Sequence, residues 1–254
     1  MMRAVKFACV ARSWRFMSIW PLSATLAVRH CERMADDAAQ WNLPDSDICT
    51  AAMQLVMDES PAFLANHCVR SFLYGRELAA AQGLRAGVHY DEELVFLSCL
   101  LHDLGITDFG RGDQRFEVDG ADAAATFLRE HGVSEERTTP VWQAIALHTS
   151  LGIADRFGPV PAVSFHGITL DIDGAAKAAL PQGFVDRVHA RWPRHDLGYA
   201  IAERIGRDIQ ANPMKAPPFS FPAHIHELLN GPAVTFWDVV EGSPWGDRPV
   251  NSRC

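Results

Sequence analysis

Four positions of this chain carry side chains suited to holding a cation: His67, the adjacent pair His102-Asp103, and Asp171. Each sits in an otherwise apolar stretch, where an imidazole or a carboxylate is costly to bury without a partner. Imidazole and carboxylate together suit zinc, iron or manganese. Three or four such ligands leave coordination positions for water, which distinguishes a catalytic site from a closed structural one. The chemistry within reach is therefore metal-assisted attack of water on an electrophilic carbon or phosphorus. Singly these residues say little, because a His-Asp pair can end any core helix and a lone histidine on an apolar face is usually a satisfied core residue. The set is what points to a metal.

The segments that must position these groups read as helices. Asp91–Gly105 opens with Asp91, Glu92 and Glu93, where the helix dipole favours acids. It runs apolar from Leu94 to Leu101 and presents His102 and Asp103 at its end, with Gly105 as a left-handed stop. Upstream, Ser60-Pro61 reads as cap and first position of a helix over Pro61–Gln82. Its spacing puts His67, Arg70, Ser71 and Tyr74 on one face. Residues 138–151 predict another helix, with Thr139 as cap and Pro140 at the first position, and with Val141, Ala144, Ile145 and His148 on one face. Residues 160–174 are ambiguous: Ile168 and Thr169 are β-branched, while the length suits a helix. Asp119 is expected to cap an alanine-rich helix ending at Gly132, and residues 182–211 to form two helices broken at Trp192-Pro193. Between them, residues 106–118 read as a loop at the rim of the site, with Arg111, Asp113, Arg115 and Glu117 as candidate contacts. No alternating strand pattern recurs, so the expected body is all-α.

Bulk properties narrow the function classes. A chain of 254 residues can bury one large core or two small ones. A net charge of −8 disfavours nucleic-acid binding, and no stretch is apolar for long enough to span a bilayer. Six cysteines without Cys-x-x-Cys spacing read as reduced thiols of a cytoplasmic protein. No glycine-rich phosphate loop suggests an organic cofactor. The expected layout is an extension over residues 1–40, a helical domain over 41–215 and an irregular Pro-rich tail over 216–254, anchored by Phe219, Phe221, Phe236 and Trp237. The extension carries six basic residues up to Arg33 against one acid, Glu32, and reads as disordered or as an over-long reading frame before Met34. A signal or targeting segment is the alternative. A homo-oligomer is compatible with all of this.

The order His67…His102-Asp103…Asp171 resembles the HD superfamily of metal-dependent hydrolases, built on a helical bundle. The blocks NHCVRSFLYG, LHDLGIT, RFEVDGADAA, VWQAIALHTS and LDIDG are further similar to the branch that contains the cyanamide hydratases. The resemblance covers roughly residues 60–215. It implies an all-α HD-domain bundle in which His67, His102, Asp103 and Asp171 hold one divalent ion, Zn2+ foremost, with Fe2+ or Mn2+ as alternatives. Asp171 is preferred to Asp173 because Gly174 completes an Asp-x-x-Gly pattern. His148 matches a further histidine of the superfamily. Two-metal members need another histidine before the last aspartate, and His166 is the candidate here. On a helix it points about 140° away from Asp171, which argues for one metal.

The resemblance further implies that Asp103 orients water and that His148 donates to developing charge. Arg70, Thr107, Phe116 and Glu117 would line a pocket for a small-molecule substrate. Cyanamide-like hydration of a nitrile to a urea-type product is the leading expectation. A phosphohydrolase using Arg70, Arg111 and Arg115 is the alternative. A two-iron oxygenase would need both His148 and His166 as ligands. A non-catalytic helical domain would show a gap in the ligand pattern, and every position here is filled.

Overall fold

A computed structural model of the protein describes residues 36–246. The expectations for the N-terminal extension, for Met34 and for Cys9, Cys31 and Cys254 lie outside the described residues. Helix α1 (36–41) falls in a unit that ends at Leu43, and the remaining helices form a second compact unit from Pro44. In the second unit, α2 (Asp47–Glu59), α3 (Ala62–Ala81) and α4 (Glu92–Leu101) are followed by α5 (Phe116–Glu130), α6 (Glu135–Leu147) and α7 (Pro159–Asp173). The chain ends with α8 (Phe184–Arg191), α9 (Leu197–Ala211), α10 (Phe221–Asn230) and α11 (Phe236–Glu241). Among the described residues there is no strand, only an isolated bridge between Ala86 and Tyr90. The all-α expectation holds.

Helix α4 is the axis of the bundle. Leu94 through Leu101 are all buried, as a helix apolar on every side must be. Its one polar interior residue, Ser98, donates its hydroxyl to the Leu94 carbonyl. Asp91 caps the helix by accepting from the Leu94 amide. Arg137 of α6 reaches across to both Asp91 (2.8 Å) and Glu93 (2.7 Å). The fork is half exposed, so Arg137→Ala is expected to destabilise the fold by only about 0.5–1 kcal/mol, read as a shift in denaturant midpoint. Helix α2 is capped by Ser46 and buries Cys49, Ala52, Met53 and Val56.

The ambiguous segment 160–174 is helical, and it ends at Gly174 in the left-handed conformation (φ 66°). It packs against α3 at a crossing of two glycines, Gly75 and Gly167, where backbones nearly touch. Other local expectations shift. Gly105 does not take a positive φ; a Cβ there would meet the Phe116 carbonyl and the Gly120 amide, so its role is to let the chain after Asp103 lie against α5. Helix α6 starts at Glu135, a turn before the expected Thr139, and Pro140 lies inside it. Asp119 does not cap α5, which starts at Phe116. Its carboxylate instead accepts from the Gln114 amide and from the buried Lys215 ammonium at 2.6 Å.

The tail is not irregular. It forms α10 and α11 because its prolines fall where helices tolerate them: Pro222 is in the first turn of α10, behind Ser220, whose hydroxyl accepts from the Ala223 amide. The expected anchors Phe219, Phe236 and Trp237 are exposed, whereas Ala223 and Ile225 are buried and Phe221 stacks edge-on against Phe116.

Candidate metal centre

Three side chains meet where α3 approaches the end of α4. His67 Nε2 lies 3.1 Å from His102 Nε2, and Asp103 Oδ2 lies 3.7 and 3.2 Å from those two nitrogens. The three residues are 1–2% exposed, and a ligand atom from each falls within 4.8 Å of the others. The protons sit on the far edges of the rings. His102 Nδ1 faces the Cys99 carbonyl at 2.7 Å and His148 Nδ1 faces the Ile145 carbonyl at 2.6 Å. A carbonyl only accepts, so both Nδ1 atoms carry hydrogen, and each Nε2 is the atom that presents a lone pair when its ring is neutral. His67 Nδ1 faces Asp171 Oδ2 at 2.7 Å, which fixes the same tautomer.

With its rings neutral, the centre is a cluster of acceptors lacking a donor. Both oxygens of Asp103 are buried without any hydrogen-bond partner, an expensive state for a carboxylate. Burial opposes its charge, yet His102, His67 and His148 outweigh this and hold Asp103 below the usual carboxylate range. Burial likewise opposes a proton on His102, but Asp103 beside it holds that imidazole well above its ordinary value. His67 is lowered by burial, and burial with His102 nearby pushes His148 down to about 4. A divalent cation satisfies the nitrogens and the carboxylate together, and two imidazoles with one carboxylate form an open donor set.

His148 caps α6 and faces the other edge of the carboxylate, its Nε2 3.8 Å from Asp103 Oδ1. Its ring packs edge-on against His102 (5.0 Å) and Phe116 (5.5 Å). His166 is exposed on α7, and with that segment helical, the geometric condition for a single ion is met.

The other expected site residues have different placements. Asp171 stands apart from the three-residue group. It accepts from His67 Nδ1, from Arg70 Nε and Nη2 (2.8 and 2.7 Å) and from Arg194 Nη1 (3.0 Å). The α3–α7 crossing brings it to the Nδ1 edge of His67, whereas His102 and Asp103 lie at the Nε2 edge. Arg70, expected as a substrate contact, is fully buried, and its Nη1 donates to the Trp192 and Pro193 carbonyls. Thr107 closes the turn after Asp103 by donating to the Leu104 carbonyl and accepting from the Gly110 amide. Glu117 is buried and held by the Arg115 fork and by the Thr149 hydroxyl at 2.6 Å. Of the four residues expected to line a substrate pocket, Phe116 is the one that contacts a proposed catalytic side chain, His148. Sequence reasoning missed Arg194, Thr149 and the carbonyls of Cys99 and Ile145. Main-chain acceptors leave no trace in residue types, and Arg194 lies after a helix break whose path the sequence does not reveal.

No curated protein matches the chain. Among the described residues no helix is long and apolar enough to cross a membrane. Residues 64–182 match the family model of the HD domain. The matched segment runs from α3 to the chain after α7, and it supplies both histidines and the aspartate of the cluster. Residues 64–182, a little under half of the chain, are thus similar to the HD domain, and within that stretch His67, His102 and Asp103 form a cluster that could hold a metal ion.

Proposed function

We propose that the protein is a metal-dependent hydratase or hydrolase of a small uncharged molecule, similar to the cyanamide hydratases in adding water to a nitrile. The observation that carries this reading is the disposition of the arginines. A phosphate ester needs cationic donors for its oxygens. Arg70 is committed to Asp171, Arg115 to Glu117, and Arg111 to Asp108 and Asp208. The three candidates for phosphate recognition are thus neutralised by carboxylates, an arrangement suited to a neutral substrate.

His67, His102 and Asp103 would hold the ion, Zn2+ being the first candidate. When bound, it supplies Lewis acidity and brings the pKa of water towards neutrality. Asp103 Oδ1, facing His148, orients the attacking water. His148 is neutral at ordinary pH, because burial keeps its pKa near 4. Its Nε2 takes a proton from that water and returns it to the substrate nitrogen, so the C≡N carbon gains oxygen and the nitrogen gains hydrogen. The buried free thiols of Cys49, Cys68 and Cys99 support a reducing, cytoplasmic setting.

The test is a turnover screen of protein reconstituted with Zn2+, Fe2+ or Mn2+, first on cyanamide and small nitriles, then on nucleoside monophosphates. Turnover of the phosphate esters alone would discard the neutral-substrate reading. His148→Ala is expected to keep its metal and lose about a hundredfold in kcat. Elemental analysis and steady-state kinetics on the same preparation check both halves of that expectation.

A further inference from the structure

We propose that Asp171 stays outside the metal's coordination sphere and that Arg70 and Asp171 together act as a clamp fixing His67 with Nε2 aimed at the ion. The inference rests on the metal-centre reading above and concerns which of two buried carboxylates the ion uses. They are in opposite states. Asp103 has neither oxygen hydrogen-bonded. Asp171 has two donors on each: Arg70 Nε (2.8 Å) and Arg194 Nη1 (3.0 Å) on Oδ1, Arg70 Nη2 and His67 Nδ1 (both 2.7 Å) on Oδ2. Four donors fill the acceptor capacity of a carboxylate.

Moving Asp171 to the ion would break this set at three points. Arg70 is fully buried, and the carboxylate is its counter-charge; without it the guanidinium becomes an uncompensated buried cation. His67 Nδ1 would lose its acceptor, and with it the bond that keeps the proton off Nε2. Arg194 would lose its carboxylate contact while keeping the Asp171 carbonyl at 2.6 Å, which anchors the end of α7. The remaining donors of Arg70 hold the Trp192 and Pro193 carbonyls, so the clamp is tied to the chain after α8 and resists displacement. Carboxylates that orient a ligating imidazole through its second nitrogen are a general device for raising metal affinity. Asp171 and Arg70 are accordingly positioning residues.

Co2+ titration of the full chain, followed by visible absorption and calorimetry, tests the proposal. Wild type is expected to bind about one equivalent, and Asp103→Asn none. Asp171→Asn is expected to bind the same amount with an unchanged ligand-field spectrum and an affinity weaker by about 10–100-fold. Arg70→Lys should also weaken binding, whereas releasing a direct ligand from its arginine would leave binding unchanged or tighten it. Loss of Co2+ from Asp171→Asn, or a shifted spectrum, overturns the proposal while leaving the metal reading intact. Failure of wild type to bind Co2+ removes the metal reading and the proposal with it. Should Asp171→Asn not fold, nitrogen NMR of Zn2+-loaded wild type decides: a slowly exchanging Nδ1 proton on His67 is required, and its absence overturns the clamp.

Discussion

Asp103→Ala is expected to empty the metal centre and to make the chain's melting temperature indifferent to chelators. In wild type, an ion that binds the native state alone stabilises it by about 4 kcal/mol at a thousand times its Kd. For a chain of this size each kcal/mol is worth about 2–4 °C, so chelation should lower the wild-type Tm by about 8–16 °C. The variant lacks the carboxylate whose two oxygens have no other partner and retains two imidazoles whose Nε2 atoms alone hold an ion poorly. Its Tm should be the same with and without chelator, its metal content negligible, and turnover at background. Metal analysis and paired thermal melts check the expectation, and full metal occupancy in the variant would remove Asp103 from the site.

Much of this centre was legible in residue types. The apolar run Leu94–Leu101 ends in a polar pair, a pattern that leaves His102 and Asp103 little choice but to lie at the buried end of a helix. Helical spacing placed His67, Arg70, Ser71 and Tyr74 on one buried face of α3, as observed. What the spacing could not decide is which edge of His67 meets Asp171. That depends on how closely two helices cross, and the crossing is set by two glycines far apart in sequence, Gly75 and Gly167. The same limit applies at Gly105, read as a conformational stop and found to be a point of close approach to α5. Arg70 is a further instance. Its position one turn from His67 suggested a contact for phosphate, but burial without solvent obliged it to find a carboxylate, and the carboxylate within reach was Asp171. Pro140 also misled, since a proline that suits a helix start fell inside a helix whose first turn is acidic. In each case a residue type carried the information that something was constrained, and tertiary contact determined what.

Gly167→Ala is the substitution expected to damage the protein most without touching a ligand. A Cβ at Gly167 would collide with the Ser71 carbonyl oxygen and lie 2.6 Å from the Gly75 nitrogen and 2.8 Å from the Gly75 Cα. All three are backbone atoms of α3, so no side chain can rotate to make room. The two helices must move apart, at a cost of about 3 kcal/mol or more. That corresponds to a fall in Tm of about 6–12 °C. Separation has a chemical consequence too, because α3 carries His67 and Arg70 while α7 carries Asp171. Drawing them apart loosens the clamp on His67, so the variant should bind its ion more weakly although every metal-facing residue is intact. Gly198→Ala is the matched comparison. Gly198 lies in the first turn of α9 without a positive φ, and a Cβ there would have nothing within 4 Å. Alanine at this position should be neutral or stabilise by about 0.4–1 kcal/mol, by restricting the unfolded chain. The two variants exchange the same atoms, so paired melts and Co2+ titrations isolate the contribution of the crossing. Equal melting temperatures would mean that α3 and α7 can part freely, and that the position of Asp171 behind His67 is maintained by the arginines alone.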